Sequence, residues 1–362
     1  MAYHVYIVYK KSIQMVQTNK QLPDISWQVP EKTYRADPAL SYSTLARYDR
    51  EGFNNLDKLF EHISTPSLTL GSCVDTLITG SQGEFDSLFY VADIPSIGDK
   101  EKQVADALYD RHHEQYSSLP EIPDEDILAI ANELSFQKNW RGDTRVRVLK
   151  ERCAIYYSVK TNAQGKQVID MKTYYIVQQM VNALKNSPAT HAYFADDDPM
   201  SPIRRYYQLK FKAKLKGVTY RCMADLLYVD YEKKAIIPVD LKTSSHKEWD
   251  FQESFCQWDY MIQARLYWMI IKANLMADDY FKDFKLENYR FIVVNKDSLK
   301  PLVWEFPFTK VGGTLIGTNG KEYRDPLEIG KELRDYLDLK PAVPKDINLN
   351  GINMITCLGV KK

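Results

Sequence analysis

Two stretches decide the reading of this chain: Cys222-Met223-Ala224-Asp225-Leu226-Leu227 and Ile236-Ile237-Pro238-Val239-Asp240-Leu241-Lys242-Thr243. Each sets an acid inside an apolar run that reads as a strand. The polar segment between them, Val229-Asp230-Tyr231-Glu232-Lys233-Lys234-Ala235, reads as a turn. Adjacent antiparallel strands would bring Asp225 beside Asp240. Residues two apart on a strand face the same way, so Lys242 projects into the same space as Asp240. Two carboxylates and an ammonium at one point suit a hard divalent cation and an activated water. The competing reading is a surface hairpin carrying an Asp240–Lys242 ion pair. The Ile-Ile-Pro-Val run before the triplet favours a strand end near a core.

Working outward, Gln263 and Tyr267 lie in a long helical pattern over about 253–275, and their i, i+4 spacing puts them on one face. Asp75 lies on an earlier helix, in Gly71-Ser72-Cys73-Val74-Asp75, among apolar neighbours Val74, Leu77 and Ile78. A carboxylate on a buried helix face needs a partner or a metal.

The order Gly71 to Asp75, then Asp225, then Asp240-Leu241-Lys242-Thr243, then Gln263 to Tyr267 resembles the PD-(D/E)XK nuclease superfamily. Within it, the chain resembles the RecB-like exonucleases, and more narrowly the RecE-type (exonuclease eight-like) recombination exonucleases. The likeness spans about 40–305 and includes the helical stretch Met171 to Ala189. It implies a restriction-endonuclease-like α/β fold with a mixed central sheet flanked by helices. It implies Mg²⁺ or Mn²⁺ held by Asp75, Asp225, Asp240 and the Leu241 carbonyl, with Asp75 standing where the family usually has His. Lys242 would position the attacking water, and Gln263 and Tyr267 would support the site and touch the DNA backbone. The nearest counterpart of an early family Glu is Gln208. The implied activity is exonucleolytic hydrolysis of linear double-stranded DNA, from the 5′ end. A single-strand annealing protein and a ring-shaped homo-oligomer are the implied partners. The alternatives are an endonuclease or Cas4-like end-processing enzyme, and an inactive DNA-binding or assembly protein on the same fold.

Lys210, Lys212, Lys214 and Lys216 alternate with Phe211, Ala213 and Leu215, following Arg204 and Arg205. As a strand this makes a basic stripe that could hold a phosphate backbone or form a charged edge that resists aggregation. Trp140 within Lys138–Arg147 could stack on a base or simply end a helix. Asp196-Asp197-Asp198 reads as a solvated turn, and His112-His113 has no further ligands nearby.

The chain has 362 residues, 48 basic and 48 acidic, so it is no globally basic binder. With 44% hydrophobic and 12% aromatic residues it can bury a sizeable core, which argues against disorder. Five scattered cysteines with no Cys-x-x-Cys pair give little support for zinc ribbons or iron–sulfur clusters and fit reduced thiols in a cytoplasmic protein. No run approaches the roughly 18 apolar residues of a membrane span. No phosphate-cradling Gly-rich loop or Gly-x-Ser-x-Gly occurs. The expected organisation is an extension over 1–40, a nuclease domain over 41–309 and a helical tail over 310–362.

Overall fold

The computed structural model describes residues 20–60, 65–317 and 320–339. The chain divides into two compact units: residues 1–65 with 182–362, and residues 66–181. The expected domain body over 41–309 cuts across this division. Ten strands occur among the described residues: β1 Phe89–Ala92, β2 Gln167–Asp170, β3 Ile203–Leu215, β4 Val218–Asp230, β5 Ala235–Ser244, β6 Lys285–Leu286, β7 Tyr289–Asn295, β8 Leu302–Phe306, β9 Leu315–Ile316 and β10 Glu322–Tyr323.

The first unit is built on a mixed sheet in the order β3-β4-β5-β7-β8, with β6 beside β5. Lys216 and Gly217 join β3 to β4 with φ of 45° and 85°. Two left-handed residues make the tight turn whose twist matches a hairpin. The turn from β4 to β5 is fixed by Asp230, whose Oδ1 accepts the Lys233 N–H at 2.9 Å. β5 and β7 run parallel, which requires a crossover that is usually helical. The crossover here is Phe251–Gln257 followed by Tyr260–Met276. The sequence pattern reads as one helix from about 253; the chain instead breaks at Trp258–Asp259. β7 is apolar on both faces, with Phe291, Ile292, Val293 and Val294 at most 1% exposed, as a strand covered on both sides must be.

The helix Tyr260–Met276 is the unit's central strut. It buries Met261, Ile262, Ala264, Leu266, Tyr267, Ile270, Ile271 and Leu275, and each fully buried aliphatic side chain stabilises the fold by about 1.5–3 kcal/mol. Arg265 on the same helix is fully buried. Its guanidinium donates to the carbonyls of Val311, Gly313 and Arg324, so it ties down the segment leading to the last helix, Pro326–Leu339. The segment over 27–40 crosses the β3–β4 hairpin. Trp27 N–H donates to Lys210 O at 2.7 Å, and Leu40 pairs with Thr219 and Arg221 through backbone bonds of 3.1 and 2.9 Å.

The second unit is mainly helical. Asp99–His112, Asp124–Glu133 and Gly142–Ala163 enclose a core that includes Val104, Leu108, Ile127, Leu149, Cys153 and Tyr157. β1 and β2 form a short parallel pair. A helix at Gln82–Leu88 is capped by the Ser81 side chain. No helix among the described residues is long and apolar enough to cross a membrane.

Gly330 shows how closely the last helix meets the sheet: a Cβ there would collide with the buried ring of Tyr220. Gly330→Ala is therefore expected to lower unfolding stability by about 1–3 kcal/mol through overpacking, read as a lower urea midpoint. An unchanged midpoint would mean that this helix does not pack on β4 as described.

Candidate active site

The site is made where two strands part. β4 pairs with β5 from Asp230–Ala235 to Leu226–Val239 and then stops. β5 continues beside β7 from Val239–Arg290 to Ser244–Asn295. The path of β5 is thus fixed by β7, and β4 leaves it. The next pair outward would be Asp225 and Asp240. In place of a ladder bond, the Asp225 Oδ2 accepts the Leu241 N–H at 2.9 Å. On the other side of β4, Tyr207 pairs with Leu226 and Leu209 with Ala224, which places Gln208 and Asp225 at the same level of the β3–β4 hairpin. Gln208 has φ 54°, a left-handed conformation in mid-strand that costs a non-glycine residue of order 1–3 kcal/mol.

Asp240 is 2% exposed. Its Oδ2 lies 2.7 Å from Lys242 Nζ, and its Oδ1 accepts from the Gln263 side-chain amide. The ammonium is close to Oδ2 but off the hydrogen-bonding direction, so that oxygen has an ion-pair partner and no hydrogen-bond donor among the described residues. The Tyr260 ring lies 4.6 Å from Lys242 Nζ and packs against Tyr42 with centroids 6.3 Å apart. Burial pushes the Lys242 ammonium toward neutrality. Asp240 first, then Tyr260, Asp225 and Tyr42 outweigh it and hold the group above the ordinary lysine range. Lys242 is therefore a fixed cation here.

Behind the carboxylates sit Tyr267 and Tyr289, edge to face with centroids 6.4 Å apart. Burial, and then their surroundings including Asp240 and Asp225, raise both phenols well above their usual range. They remain neutral hydroxyls. Two buried polar atoms in this wall, Gln263 Oε1 and Tyr289 Oη, have no hydrogen-bond partner among the described residues.

The break at Trp258–Asp259 aims the helix. Asp259 is left-handed at φ 54°, with its carboxylate 3.4 Å from Arg50 and 3.7 Å from Lys321. The helix that follows presents Tyr260, Gln263 and Tyr267 on one stripe by i, i+3, i+4 spacing. Sequence reading found Gln263 and Tyr267 and missed Tyr260, although it sits three residues before Gln263. It also missed Tyr42 and Tyr289, which come from distant elements with no local signal.

Asp225, Asp240, Leu241, Lys242, Gln263 and Tyr267 are thus assembled in one place. Gln263 and Tyr267 are 4% and 8% exposed, which puts them behind the carboxylates rather than at a surface where they would touch DNA. Asp75 belongs to the second unit, half-buried on the helix Pro66–Thr79. The basic residues divide. Arg204 donates to the carbonyls of Asp198, Pro199, Ser201 and Ile203. Arg205 pairs with Asp197 at 2.7 Å and donates to Ala192 O. Both arginines brace the turn before β3. Lys212 pairs with Asp37 at 2.7 Å and lies over the Trp27 ring. Lys214 and Lys216 are exposed and Lys210 is half-buried. Asp198 caps its own turn through the Met200 N–H, and His113 stacks on Tyr109.

Among the described residues no three His, Cys, Asp or Glu side chains are grouped to hold an ion. The donor set available at the site is two carboxylates and a carbonyl. Leu241 borders the same gap through its N–H, which meets Asp225. Asp225, Asp240 and the Leu241 carbonyl are hard oxygen donors that could hold Mg²⁺ or Mn²⁺, ions that commonly take one or two carboxylates and complete their shell with water and phosphate oxygens.

No protein-family model matches the chain, and no curated protein sequence matches it. Among solved structures it is similar to a crystal structure of a protein from Eubacterium rectale provisionally named as an exonuclease, with a TM-score of 0.40 and 13% identity over 86% of each chain. At that distance, the functional reading rests on the geometry of the site.

The Asp240–Lys242 pair carries a stability prediction. Lys242→Met leaves a carboxylate buried without its cation and is expected to destabilise the protein by about 3–5 kcal/mol. The double variant Asp240→Asn/Lys242→Met removes the stranded charge and should recover most of that loss in urea unfolding. A single variant as stable as the parent would contradict the buried pairing.

Proposed function

We propose that this protein is a metal-dependent deoxyribonuclease of the PD-(D/E)XK type, acting exonucleolytically on the ends of linear double-stranded DNA. The observation that carries this reading is the junction of Asp225, Asp240 and Lys242 at the point where β4 leaves β5. Two acids and a fixed cation backed by the buried Gln263 and Tyr267 suit charge stabilisation at a phosphate better than proton transfer by the lysine. Asp225, Asp240 and the Leu241 carbonyl would hold the divalent ion. Bound there, such an ion supplies Lewis acidity to the phosphate and lowers the pKa of a water. The chain's own groups do the rest. Lys242 donates to the attacking water or to a non-bridging phosphate oxygen, where negative charge grows in the transition state. Gln263 fixes the Asp240 carboxylate, and Tyr260 limits where the ammonium can go. 5′-to-3′ polarity, a recombination role beside an annealing protein, a ring-shaped assembly and a cytoplasmic setting belong to this proposal. Of the basic stripe, Lys210, Lys214 and Lys216 are the candidates for DNA contact, since Lys212 and the two arginines already have intramolecular partners.

End-labelled linear DNA and closed circular DNA, each incubated with Mg²⁺, Mn²⁺ or EDTA, test this directly. Degradation of linear DNA only, and only with metal, is the expected result. Cutting of circles would replace the exonuclease with an endonuclease, and intact but shifted DNA in every metal would leave a binding protein. The folded double variant Asp240→Asn/Lys242→Met is expected to bind DNA and to lose at least ~100-fold in cleavage, the scale of removing one charge-stabilising donor. Normal cleavage by that variant would remove Asp240 and Lys242 from the mechanism.

A further inference from the structure

We infer that Tyr260 is a positioning residue for Lys242, acting through the face of its ring rather than through its hydroxyl; the catalytic part of this inference rests on the function proposed above. The helix Tyr260–Met276 grips both halves of the buried ion pair. Gln263 donates to Asp240 Oδ1, and three residues earlier the Tyr260 ring centroid lies 4.6 Å from Lys242 Nζ. Asp240 alone fixes little about where the ammonium points. A lysine carries a compact charge on a flexible stem, and its 2.7 Å contact with Oδ2 lies off the hydrogen-bonding direction. A ring beside the same head adds a second constraint. A cation is drawn to the negative face of an aromatic ring, most strongly where water is scarce, and the Lys242 side chain is only 18% exposed. The ring is itself held in orientation. It stacks on Phe251 and Phe291, with centroids 5.9 and 6.0 Å apart and planes inclined by 20° and 28°, and Tyr42 meets it at 6.3 Å and 50°. The turn ahead of the helix is pinned on both sides of Trp258: its N–H donates to Ser254 O at 3.0 Å, and its carbonyl accepts from the Tyr42 hydroxyl at 2.8 Å. The Tyr260 hydroxyl, by contrast, makes no hydrogen bond among the described residues. Burial holds its phenol above the usual range although Lys242 pulls it down, so the ammonium faces a neutral ring.

Fluorinating the ring tests this with little change of shape, because fluorine withdraws the negative charge from the ring face that attracts a cation. Tyr260→Phe removes the hydroxyl and keeps the face. Pentafluorophenylalanine at the same position keeps the ring and loses the attraction. The first readout is the Lys242 ammonium resonance in a proton–nitrogen NMR spectrum, identified by its loss in Asp240→Asn/Lys242→Met. Tyr260→Phe should leave its proton exchange slow, and the fluorinated ring should speed that exchange by about tenfold or more. The second is cleavage of linear DNA, where Tyr260→Phe should stay within about threefold of the parent, and the fluorinated ring should lower kcat about tenfold with KM little changed. Should the fully fluorinated ring prevent folding, a singly fluorinated phenylalanine takes its place, with a smaller effect in the same direction. Unchanged ammonium exchange in the fluorinated protein would overturn the inference, as would an equal loss in Tyr260→Phe. The NMR readout needs no DNA, so a protein that cuts no DNA yet shows the predicted exchange pattern refutes the nuclease reading alone.

Discussion

One hydrogen bond organises this site: the Leu241 N–H donating to the Asp225 carboxylate where a backbone ladder has ended. β5 is held straight by its parallel partner β7, so β4 must diverge, and divergence leaves backbone groups that need partners. A side-chain acid fills that need on one residue and brings a negative charge beside a second acid. Asp240 is then tolerable at 2% exposure only because Lys242 and Gln263 face it. A buried ion pair of this kind is weak evidence for stability and better read as a functional device. The unpartnered oxygens in the same wall, Gln263 Oε1 and Tyr289 Oη, fit a region shaped for something other than maximal stability.

The surrounding structure serves to hold that junction still. The helix Tyr260–Met276 spans the core and contributes Gln263 and Tyr260 from its first turns. Its start is set by Asp259 against Arg50 and Lys321, and its middle is locked to the later chain by Arg265. Glu248, fully buried, accepts the N–H groups of Asn295 and Lys300, and Asn295 returns bonds to the carbonyls of Ser244, Ser245 and His246. The loops leaving β5 and β7 are thereby clasped just beyond Lys242. These contacts anchor the helix and the two loops that border the charged cluster, and electrostatic catalysis requires such a cluster to be held in place.

Much of this was legible in the sequence because the information is local. Alternation and turn residues identify β3, β4 and β5, and an antiparallel pairing of β4 with β5 brings Asp225 beside Asp240. The i, i+4 spacing of Gln263 and Tyr267 follows from helix geometry. What escaped depends on distant contacts. Nothing in Gln257-Trp258-Asp259 announces a helix break, since the left-handed Asp259 is fixed by Arg50 and Lys321. The lysine alternation in β3 was visible, whereas the engagement of Lys212 by Asp37 and Trp27 depends on a segment far upstream. The helix Gln82–Leu88 carried a readable signal in Ser81 and Glu84, whose cap is present. The separate unit over 66–181 opens at Ser64-Thr65-Pro66-Ser67, a turn-type signal that was readable but does not by itself mark a domain boundary.

A crystal soaked in Mn²⁺ and measured at the manganese absorption edge probes the central claim most directly. The account predicts an anomalous peak about 2.1 Å from oxygens of Asp225 and Asp240 and from the Leu241 carbonyl. A map with no peak between those groups at saturating Mn²⁺, and with Lys242 still paired to Asp240, would contradict it.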